Sequence, residues 1–585
     1  MLFKQRLQSA ASPILLSCFI AAVTQATPAA DFDKLLAEHW ATATREQVYF
    51  RTDPDAWRMT GKLAEFTKVA RARRQQYNDA VLEKLESIDV ASLSAAQQLT
   101  YRLFEYERLA EQESYLQPDH LFPITSMFAY HTYFADVPAG MSFLTTKDYA
   151  NYLVSLDDFP RFNREHVDLM REGVARGYTQ PCDAMQNVGE SIQALIVDDP
   201  AKSSLYGPFV RFPASVPVAT QEDITKRGSS LILQKVIPAY QELLQYFDAE
   251  YMPHCRKEAG IGSLEGGLDF YAWRVRYFTT TEMTAAEIHE LGKSELARIR
   301  REMDSIIEAS GFEGDFAQFL HFLRTEPRFY AKGIPELLGR AALIAKTAEG
   351  ELPRFFTVLP RGTYNIKSNA GRGSYYMPSA GDGKTAGTYF VGAASLDSEP
   401  LYVLEALTLH EGVPGHHLQT ALAMELDLPE FRRTVYHSAF GEGWGLYSES
   451  LGKEMGFYTD PYSDFGRLTY EAWRACRLVV DTGMHAFGWT REDAIRFILQ
   501  NTALSEPEVE SEVDRYITWP AQALAYKIGE IRIRALREKA ERVLGVDFDL
   551  RRFHDTVIGN GSLPIDILDE LIDAWIDNEL RNAGG

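Results

Sequence analysis

The spacing of apolar and polar residues predicts helices over most of the chain. Apolar residues recur with the period of an amphipathic helix in residues 32–45 and 60–85, across 144–250, and from residue 401 to the C-terminus. Residues 118–143 are aromatic and show no clear period. We therefore expect a long loop there, packed against a helical body.

One helix start has a specific signature. Thr284 precedes a helical pattern, and Glu287 follows three residues later, which is the spacing of a capping box. This pattern predicts a helix that begins after Thr284 and runs to about residue 310.

One segment has the composition of strands. Residues 360–395 are rich in Gly, Ser, Thr and Tyr, and Tyr375–Met377 and 387–391 within them are bordered by Gly, Pro or Ser. We predict a small β-ribbon inside a mainly α-helical protein. A strand containing Gly387-Thr388-Tyr389 could bind an extended peptide by main-chain pairing at a sheet edge. The alternative is a purely structural hairpin.

The first 26 residues have the order of a secretory signal peptide. Lys4 and Arg6 precede an apolar run over 14–23, and small residues precede a cut after Ala26. The run is shorter than the roughly 20 residues that span a bilayer. A lipoprotein signal at Cys18 fits less well, because the apolar run continues past it. We therefore expect a periplasmic or secreted protein.

Composition excludes several classes of protein. The 585 residues are 45% hydrophobic and 24% charged, as in ordinary globular proteins rather than disordered or fibrous ones. The formal charge of -22 argues against binding to nucleic acid or to anionic lipid. Beyond the signal, no stretch is apolar enough to predict a transmembrane helix.

Three cysteines remain once the signal is removed. An exported compartment permits a disulfide. Cys182 and Cys255 lie in turn-like contexts next to proline, whereas Cys476 lies in a helical, apolar run. A Cys182–Cys255 bridge and free thiols both remain open.

A histidine-rich segment suggests a metal site. His410-Glu411 followed by His416-His417 is similar to H-E-x-x-H, in which two histidines one helical turn apart bind zinc and the glutamate activates water. On a straight helix His416 would lie about 240° around from His410, and His417 about 10.5 Å along the axis. Neither pair could then bind one ion, because Zn–N bonds are about 2.0–2.1 Å long.

The intervening residues Gly412-Val413-Pro414-Gly415 offer a solution. Proline interrupts a helix, and glycine permits unusual backbone angles. A bulge that loops out two residues would return His416 to the ligand position and leave His417 pointing towards substrate or a supporting contact. His417 as the ligand is the alternative.

A third ligand is expected on a following helix. Glu442 lies 26 residues after His416, which leaves room for a turn and a returning helix. Glu449 lies seven residues further, on the same helical face. We predict that Glu442 is a ligand and that Glu449 orients one. A simple helix-packing role for this segment is the alternative.

A later helical segment offers supporting groups. Arg477, Asp481 and His485 form one polar stripe, either with a buried Arg–Asp pair or with Asp481 orienting a ligand histidine. Zinc peptidases also need a donor to the oxyanion of the tetrahedral intermediate. Tyr526, His485, Tyr516 and Arg477 are candidates, although Tyr526 is equally interpretable as a core residue.

Four blocks together resemble one known family. They are HEGVPGHHLQ (410–419), GEGWGLYSE (441–449), RLVVDTGMH (477–485) and WPAQALAYKIG (519–529). Their content and order resemble the DUF885 family, from about residue 30 to the end. The resemblance implies a mainly α-helical, zincin-like metallopeptidase body of the gluzincin type, distantly similar to thimet oligopeptidase and carboxypeptidase Taq. It also implies zinc ligands His410, His416 and Glu442, with Glu411 as general base.

Together these observations predict an exported zinc metallopeptidase. Residues 27–585 would form one domain, with an active-site core over about 353–530, a β-ribbon beside the active-site helix and a cleft between two helical lobes for short peptides. One alternative is a zinc amidase acting on cell-wall or acyl-amino-acid amides. Another is a non-catalytic binding protein on a zincin scaffold. Oligomeric state and exo- or endopeptidase action stay open.

Overall fold

A computed structural model describes residues 27–46, 61–141, 143–369, 373–379 and 386–583. The predicted signal peptide, residues 1–26, lies outside them. The described residues are mainly α-helical. The α-helices are α1 (Pro28–Glu46), α2 (Lys68–Glu86), α3 (Ala95–Ser114), α4 (Tyr130–Gly140), α5 (Thr146–Arg176), α6 (Val188–Gln193), α7 (Val218–Leu231), α8 (Ile237–Tyr246), α9 (Gly267–Thr279), α10 (Ala285–Ser310), α11 (Phe316–Thr325), α12 (Ile334–Glu351), α13 (Leu404–Glu411), α14 (His416–Glu425), α15 (Glu430–Thr434), α16 (Ser438–Leu451), α17 (Pro461–Phe487), α18 (Arg491–Asn501), α19 (Glu506–Thr518), α20 (Ala525–Leu544), α21 (Leu550–Ile558) and α22 (Ile565–Ala583).

Helix α17 is the centre of the larger apolar core. Almost every residue of this helix from Ser463 to His485 is buried, as expected of a helix surrounded by others. It packs most extensively against α10, and the same core includes side chains of α13, α16 and α20. A second apolar core is built mainly from α4 to α8.

Local signals predicted one helix accurately and misplaced others. Thr284 and Glu287 form the capping box, and α10 ends at Ser310. The helix expected over 60–85 begins only at Lys68, because the Thr67 hydroxyl accepts the Ala70 N–H and caps it there. The long loop expected over 118–143 was wrong in part, since it contains α4.

The predicted ribbon is a sheet of three described strands. They are β1 (Tyr364–Asn369), β2 (Tyr375–Met377) and β3 (Gly387–Gly392), in the order β1-β3-β2. β1 runs parallel to β3 and β2 runs antiparallel to it. The strand composition of β2 and β3 identified both, but the polar segment YNIKSN of β1 was not recognised.

Cys182 and Cys255 form a disulfide, the first of the two alternatives, with Cα atoms 5.1 Å apart. Next to it, Pro181 and Arg256 pair as an isolated bridge, so two distant parts of the α4–α8 region are joined. Cys476 is a buried free thiol in α17. Among the helices of the described ranges, none has both the length and the apolar composition needed to cross a membrane.

Candidate metal centre

His410 lies in the last turn of α13 and is almost fully buried. The helix ends after Glu411, where Gly412 adopts non-helical backbone angles, and α14 begins at His416. The predicted bulge is therefore a break between two helices. The break brings the imidazole rings of His410 and His416 to a centroid distance of 4.7 Å, with their planes nearly perpendicular.

Trp444 supports this break from α16. Its indole N–H donates to the carbonyl oxygen of Pro414 at 2.8 Å. The backbone N–H of Gly415 also donates to the Leu409 carbonyl oxygen at 3.0 Å. The turn between His410 and His416 is thus held by α13 and α16, two of the three helices that carry the candidate ligands.

Glu442 completes the cluster from α16. Its Oε2 atom lies 3.3 Å from Nε2 of His416 and 3.6 Å from Nε2 of His410. One ligand atom from each of the three residues lies within 4.8 Å of the other two. Donor atoms around a tetrahedral zinc ion are separated by about 3.3 Å, as its bond lengths of about 2.0–2.1 Å require.

The donor chemistry also fits zinc. Two imidazoles and one carboxylate are a ligand set of catalytic zinc sites, which leave a fourth position open. His410 is deeply buried, whereas the side chains of His416 and Glu442 are each 13% exposed. The cluster is therefore closed on the His410 side and reachable from solvent on the other.

Glu449 orients His410 from the side opposite the cluster. Its Oε1 atom lies 2.8 Å from Nδ1 of His410, and a guanidinium nitrogen of Arg474 lies 3.3 Å from the same oxygen. A carboxylate bound to Nδ1 directs Nε2 of the same ring towards a metal. The structure thus places Glu449 where the seven-residue spacing from Glu442 predicted it.

The charges of the cluster favour a cation. Burial opposes the charged form of His410, but hydrogen bonds with Glu442 and Glu449 outweigh it and raise the His410 pKa to about 9. Burial likewise opposes ionisation of Glu442, but His416 and His410 hold the pKa of this carboxyl well below its ordinary value. The carboxylates of Glu442 and Glu449 thus favour a positive charge at this position, for which a metal ion would compete with a proton.

Glu411 follows His410 directly. It is only 7% exposed, and no hydrogen bond to its carboxylate is present within the described ranges. Its negative charge is one of the contributions that raise the pKa of His410. The Glu411 carboxylate is therefore close to the cluster and carries no hydrogen bond within the described ranges.

Tyr526 lies beside the cluster on α20. Its ring is nearly parallel to that of His410, at a centroid distance of 6.4 Å, and the guanidinium carbon of Arg477 lies 4.2 Å from the Tyr526 ring centroid. In the part of the chain that the structure describes, the Tyr526 hydroxyl makes no hydrogen bond. Arg477 itself binds Glu512 and the Tyr516 hydroxyl. Tyr526 can donate to a ligand, whereas Tyr516 is occupied.

Tyr436 was missed by sequence reasoning. Its hydroxyl donates to Oε1 of Glu442 at 3.1 Å, the oxygen that faces away from the histidines. The ring lies over Gly441, where a Cβ atom would collide with it. Tyr436 lies in the short extended segment between α15 and α16, and nothing in its local sequence marks it.

Comparison with known proteins places the chain in a family. The model of "Bacterial protein of unknown function (DUF885)" matches residues 46–572. The chain belongs to the DUF885 family. No curated protein matches its sequence.

Two solved structures resemble this DUF885 protein. One is described as "the putative lipoprotein from Colwellia psychrerythraea", with 25% identity, a TM-score of 0.86, and coverage of 95% of this chain and 100% of that chain. The other is described as "a putative lipoprotein of unknown function from Shewanella oneidensis". It has 17% identity and a TM-score of 0.69, and covers 94% of this chain and 100% of that chain, so its likeness shows the fold alone.

His417 of the DUF885 chain points away from the cluster. It donates from Nε2 to the Gly362 carbonyl oxygen at 3.2 Å and accepts the Tyr376 hydroxyl at Nδ1, at 2.9 Å. Its ring also lies against Tyr364. Both nitrogens are occupied, so His417 attaches the sheet to α14 instead of binding metal.

The predicted roles of His485 and Asp481 were wrong. His485 accepts the Ile261 N–H at Nδ1 and donates from Nε2 to the Tyr516 carbonyl oxygen, both at 3.0 Å, so neither nitrogen can reach a substrate. Asp481 accepts the Tyr271 hydroxyl at 2.6 Å and the Ala521 N–H. It contacts no ligand histidine and does not pair with Arg477. Both residues join α17 to its neighbours.

The predicted peptide-binding edge at Gly387-Thr388-Tyr389 was also wrong. These residues belong to β3, which is paired with a strand on each side. Its backbone groups are therefore committed, and Tyr389 is fully buried. Within the described sheet, the two edges are β1 and β2.

Proposed function

We propose that this DUF885 protein is an exported zinc-dependent metallopeptidase of zincin-like architecture that hydrolyses short peptides. The single observation that carries the proposal is the cluster of His410, His416 and Glu442 on three different helices. Such a set is more specific evidence for a zinc site than an acidic surface patch would be. Two imidazoles and a carboxylate converge here from a broken helix and a neighbouring helix.

The residues around the cluster have separate roles in this proposal. A bound zinc ion lowers the pKa of a water molecule and polarises a carbonyl oxygen. Glu411 accepts the proton of the attacking water and later passes it to the leaving amine. Tyr526 donates its hydroxyl to the developing oxyanion. Glu449 keeps His410 in the tautomer that presents Nε2.

The site would receive substrate from the side on which His416 and Glu442 are exposed. We propose that a cleft between the two helical lobes leads there. The edge strands β1 and β2 lie beside α14 through the contacts of Tyr364 and Tyr376 with His417. A short peptide would reach the cluster along this side.

Export is supported by two features of the chain. Residues 1–26 have the order of a cleavable signal peptide. The Cys182–Cys255 disulfide is of a kind that persists in oxidising compartments. The solved relative from Colwellia psychrerythraea, described as a "putative lipoprotein", agrees with a location outside the cytoplasm.

The test combines metal content with turnover. Elemental analysis should find one zinc ion per mature chain and its loss in Glu442→Ala, with the exposed Glu222→Ala as matched control. The wild-type chain should then hydrolyse members of a library of short peptides. Cleavage of muropeptides or acyl-amino acids alone would favour the amidase. Stoichiometric zinc without any turnover would favour the binding protein, and absence of zinc after reconstitution would contradict the proposal.

A further inference from the structure

A cavity lies away from the candidate metal centre. It has a volume of about 640 Å³ and is formed by α3, α9, α20 and α22 with the segment before α10. On α20 its walls include Ile528, Ile531 and Ala535. These positions lie roughly 140–200° around the helix from Tyr526, the residue that contacts His410. The cavity therefore belongs to a different face of the molecule from the cluster.

The walls of this cavity are mostly apolar and aromatic. Tyr106, Trp273 and Tyr277 line it. The rings of Trp273 and Tyr277 are neighbours at a centroid distance of 5.4 Å, and Tyr277 is half exposed although it lies in a concave site. A volume of this size suits a small organic ligand.

The charges on the rim are unbalanced. Arg276 pairs with Glu113 and Arg532 pairs with Asp569, so the charges of these four side chains balance. The remaining acids of the rim are Glu282 and Asp566.

Glu282 and Asp566 have no ion-pair partner among the described residues. In the described part of the chain, Asp566 accepts the N–H of Ile567, and its charge also acts on the guanidinium of Arg102, which pairs with Glu570. Burial raises the pKa of the Tyr106 hydroxyl, and the carboxylates of Glu107 and Asp566 raise it further. The cavity thus combines aromatic side chains with two exposed carboxylates that form no ion pair within the described ranges.

We propose that this cavity binds a small organic cation, such as a substituted ammonium group on an aromatic or apolar body. Aromatic rings attract cations through their negative faces, and they do so most strongly where water is excluded. The unpaired carboxylates supply the charge, and the apolar walls supply contact with the body of the ligand. Neither a purely apolar ligand nor an anion satisfies both features.

The binding test uses benzyltrimethylammonium chloride and the full mature chain. Isothermal titration at low ionic strength should detect saturable binding at one site, much weaker binding of the uncharged benzyl alcohol, and none of phenylmethanesulfonate. Equal binding of the uncharged ring, or no binding of the cation at millimolar concentration, would overturn the proposal. Self-association that buries the cavity and excludes the cation would overturn it as well.

Variants assign the binding to this cavity. Glu282→Gln/Asp566→Asn should weaken binding of the cation about tenfold, equivalent to about 1.4 kcal/mol. The matched pair Glu222→Gln/Asp223→Asn removes the same charge from exposed positions on α7 and should have little effect. Tyr277→Leu should weaken binding and Tyr277→Phe should retain it. Unchanged cation binding in Glu282→Gln/Asp566→Asn would refute the assignment of the binding site to this cavity.

The same titration separates this cavity from the metal centre. Glu442→Ala should bind the cation as tightly as the wild type, with or without zinc. Loss of cation binding in Glu442→Ala would place the ligand at the cluster and refute the proposal for the cavity. Because the readout is binding rather than hydrolysis, the outcome does not depend on the proposed peptidase activity.

Discussion

Gly445 lies directly against the imidazole ring of His410. A Cβ atom at position 445 would come within 2.6 Å of Cε1 and 2.8 Å of Nε2 in that ring. Gly445 lies between Glu442 and Glu449 on α16, so the helix that supplies the carboxylates also leaves room for the ring they contact. The same helix approaches α20 at Gly443, where a Cβ atom would lie 2.6 Å from Cα of Gly529.

The first prediction concerns this contact. Gly445→Ala should displace the His410 ring and weaken zinc binding by about 10–100-fold, the range seen when the orientation of a ligand is disturbed. Competition with a chromogenic chelator measures the change. Gly350→Ala in α12 is the matched control, because nothing lies within 4 Å of its added methyl group. Equal affinity of both variants for zinc would contradict the prediction.

Glu411→Gln should retain zinc and lose hydrolysis. Glutamine has almost the same shape but cannot accept a proton, so we expect a decrease in kcat of at least about 10²-fold. Elemental analysis and peptide turnover on the same preparation measure both properties. Retained turnover at wild-type metal content would show that Glu411 is not the general base.

His416→Ala and His417→Ala should distinguish the roles of these two neighbouring histidines. The first substitution removes one of three donors and should abolish stoichiometric zinc. The second removes the contacts with Tyr376 and Gly362 and should keep zinc while lowering the melting temperature. The opposite pattern of metal content would exchange their roles.

Asp481 should make the stability of the protein depend on pH. Burial raises its pKa to about 7, so the folded chain retains a proton that the unfolded chain releases near a pKa of about 3.9. The stabilising contribution is complete below the unfolded pKa and is lost as pH rises through the folded pKa. The free energy of unfolding should therefore decrease between these two values.

Urea unfolding at a series of pH values checks this expectation. Asp481→Asn should show a smaller decrease over that interval than the wild type, and the exposed Asp223→Asn should follow the wild type. If the wild type and Asp481→Asn change in parallel with pH, the stability does not depend on protonation of Asp481.

The parts of the fold that were predicted correctly depend on short-range contacts. The capping box of Thr284 and Glu287 involves two residues on one turn, and its chemistry is the same in any surroundings. β2 and β3 have strand composition of their own. β1 has polar residues and becomes a strand because its backbone pairs with β3. In the register of this pair, Tyr364 of β1 lies opposite Gly387 of β3.

The polar stripe on α17 shows the same limit. Arg477, Asp481 and His485 share one face of the helix, as their spacing predicted, but spacing does not reveal which element covers that face. Glu512 and Tyr516, the hydroxyl of Tyr271, and the backbone of Ile261 are their partners. Their roles follow from these distant residues.

The sequence by itself determined the family and the mainly helical character of the chain, and it identified His410 and Glu442, together with either His416 or His417, as the candidate ligands. Residue type, period and motif order are local properties that can be read without coordinates. Only the tertiary structure decided that His416 rather than His417 faces Glu442, that Tyr436 joins the site, and that β3 is not an edge. Each of these depends on how separate elements pack, because the partners that occupy a side chain or a strand edge lie far away along the chain.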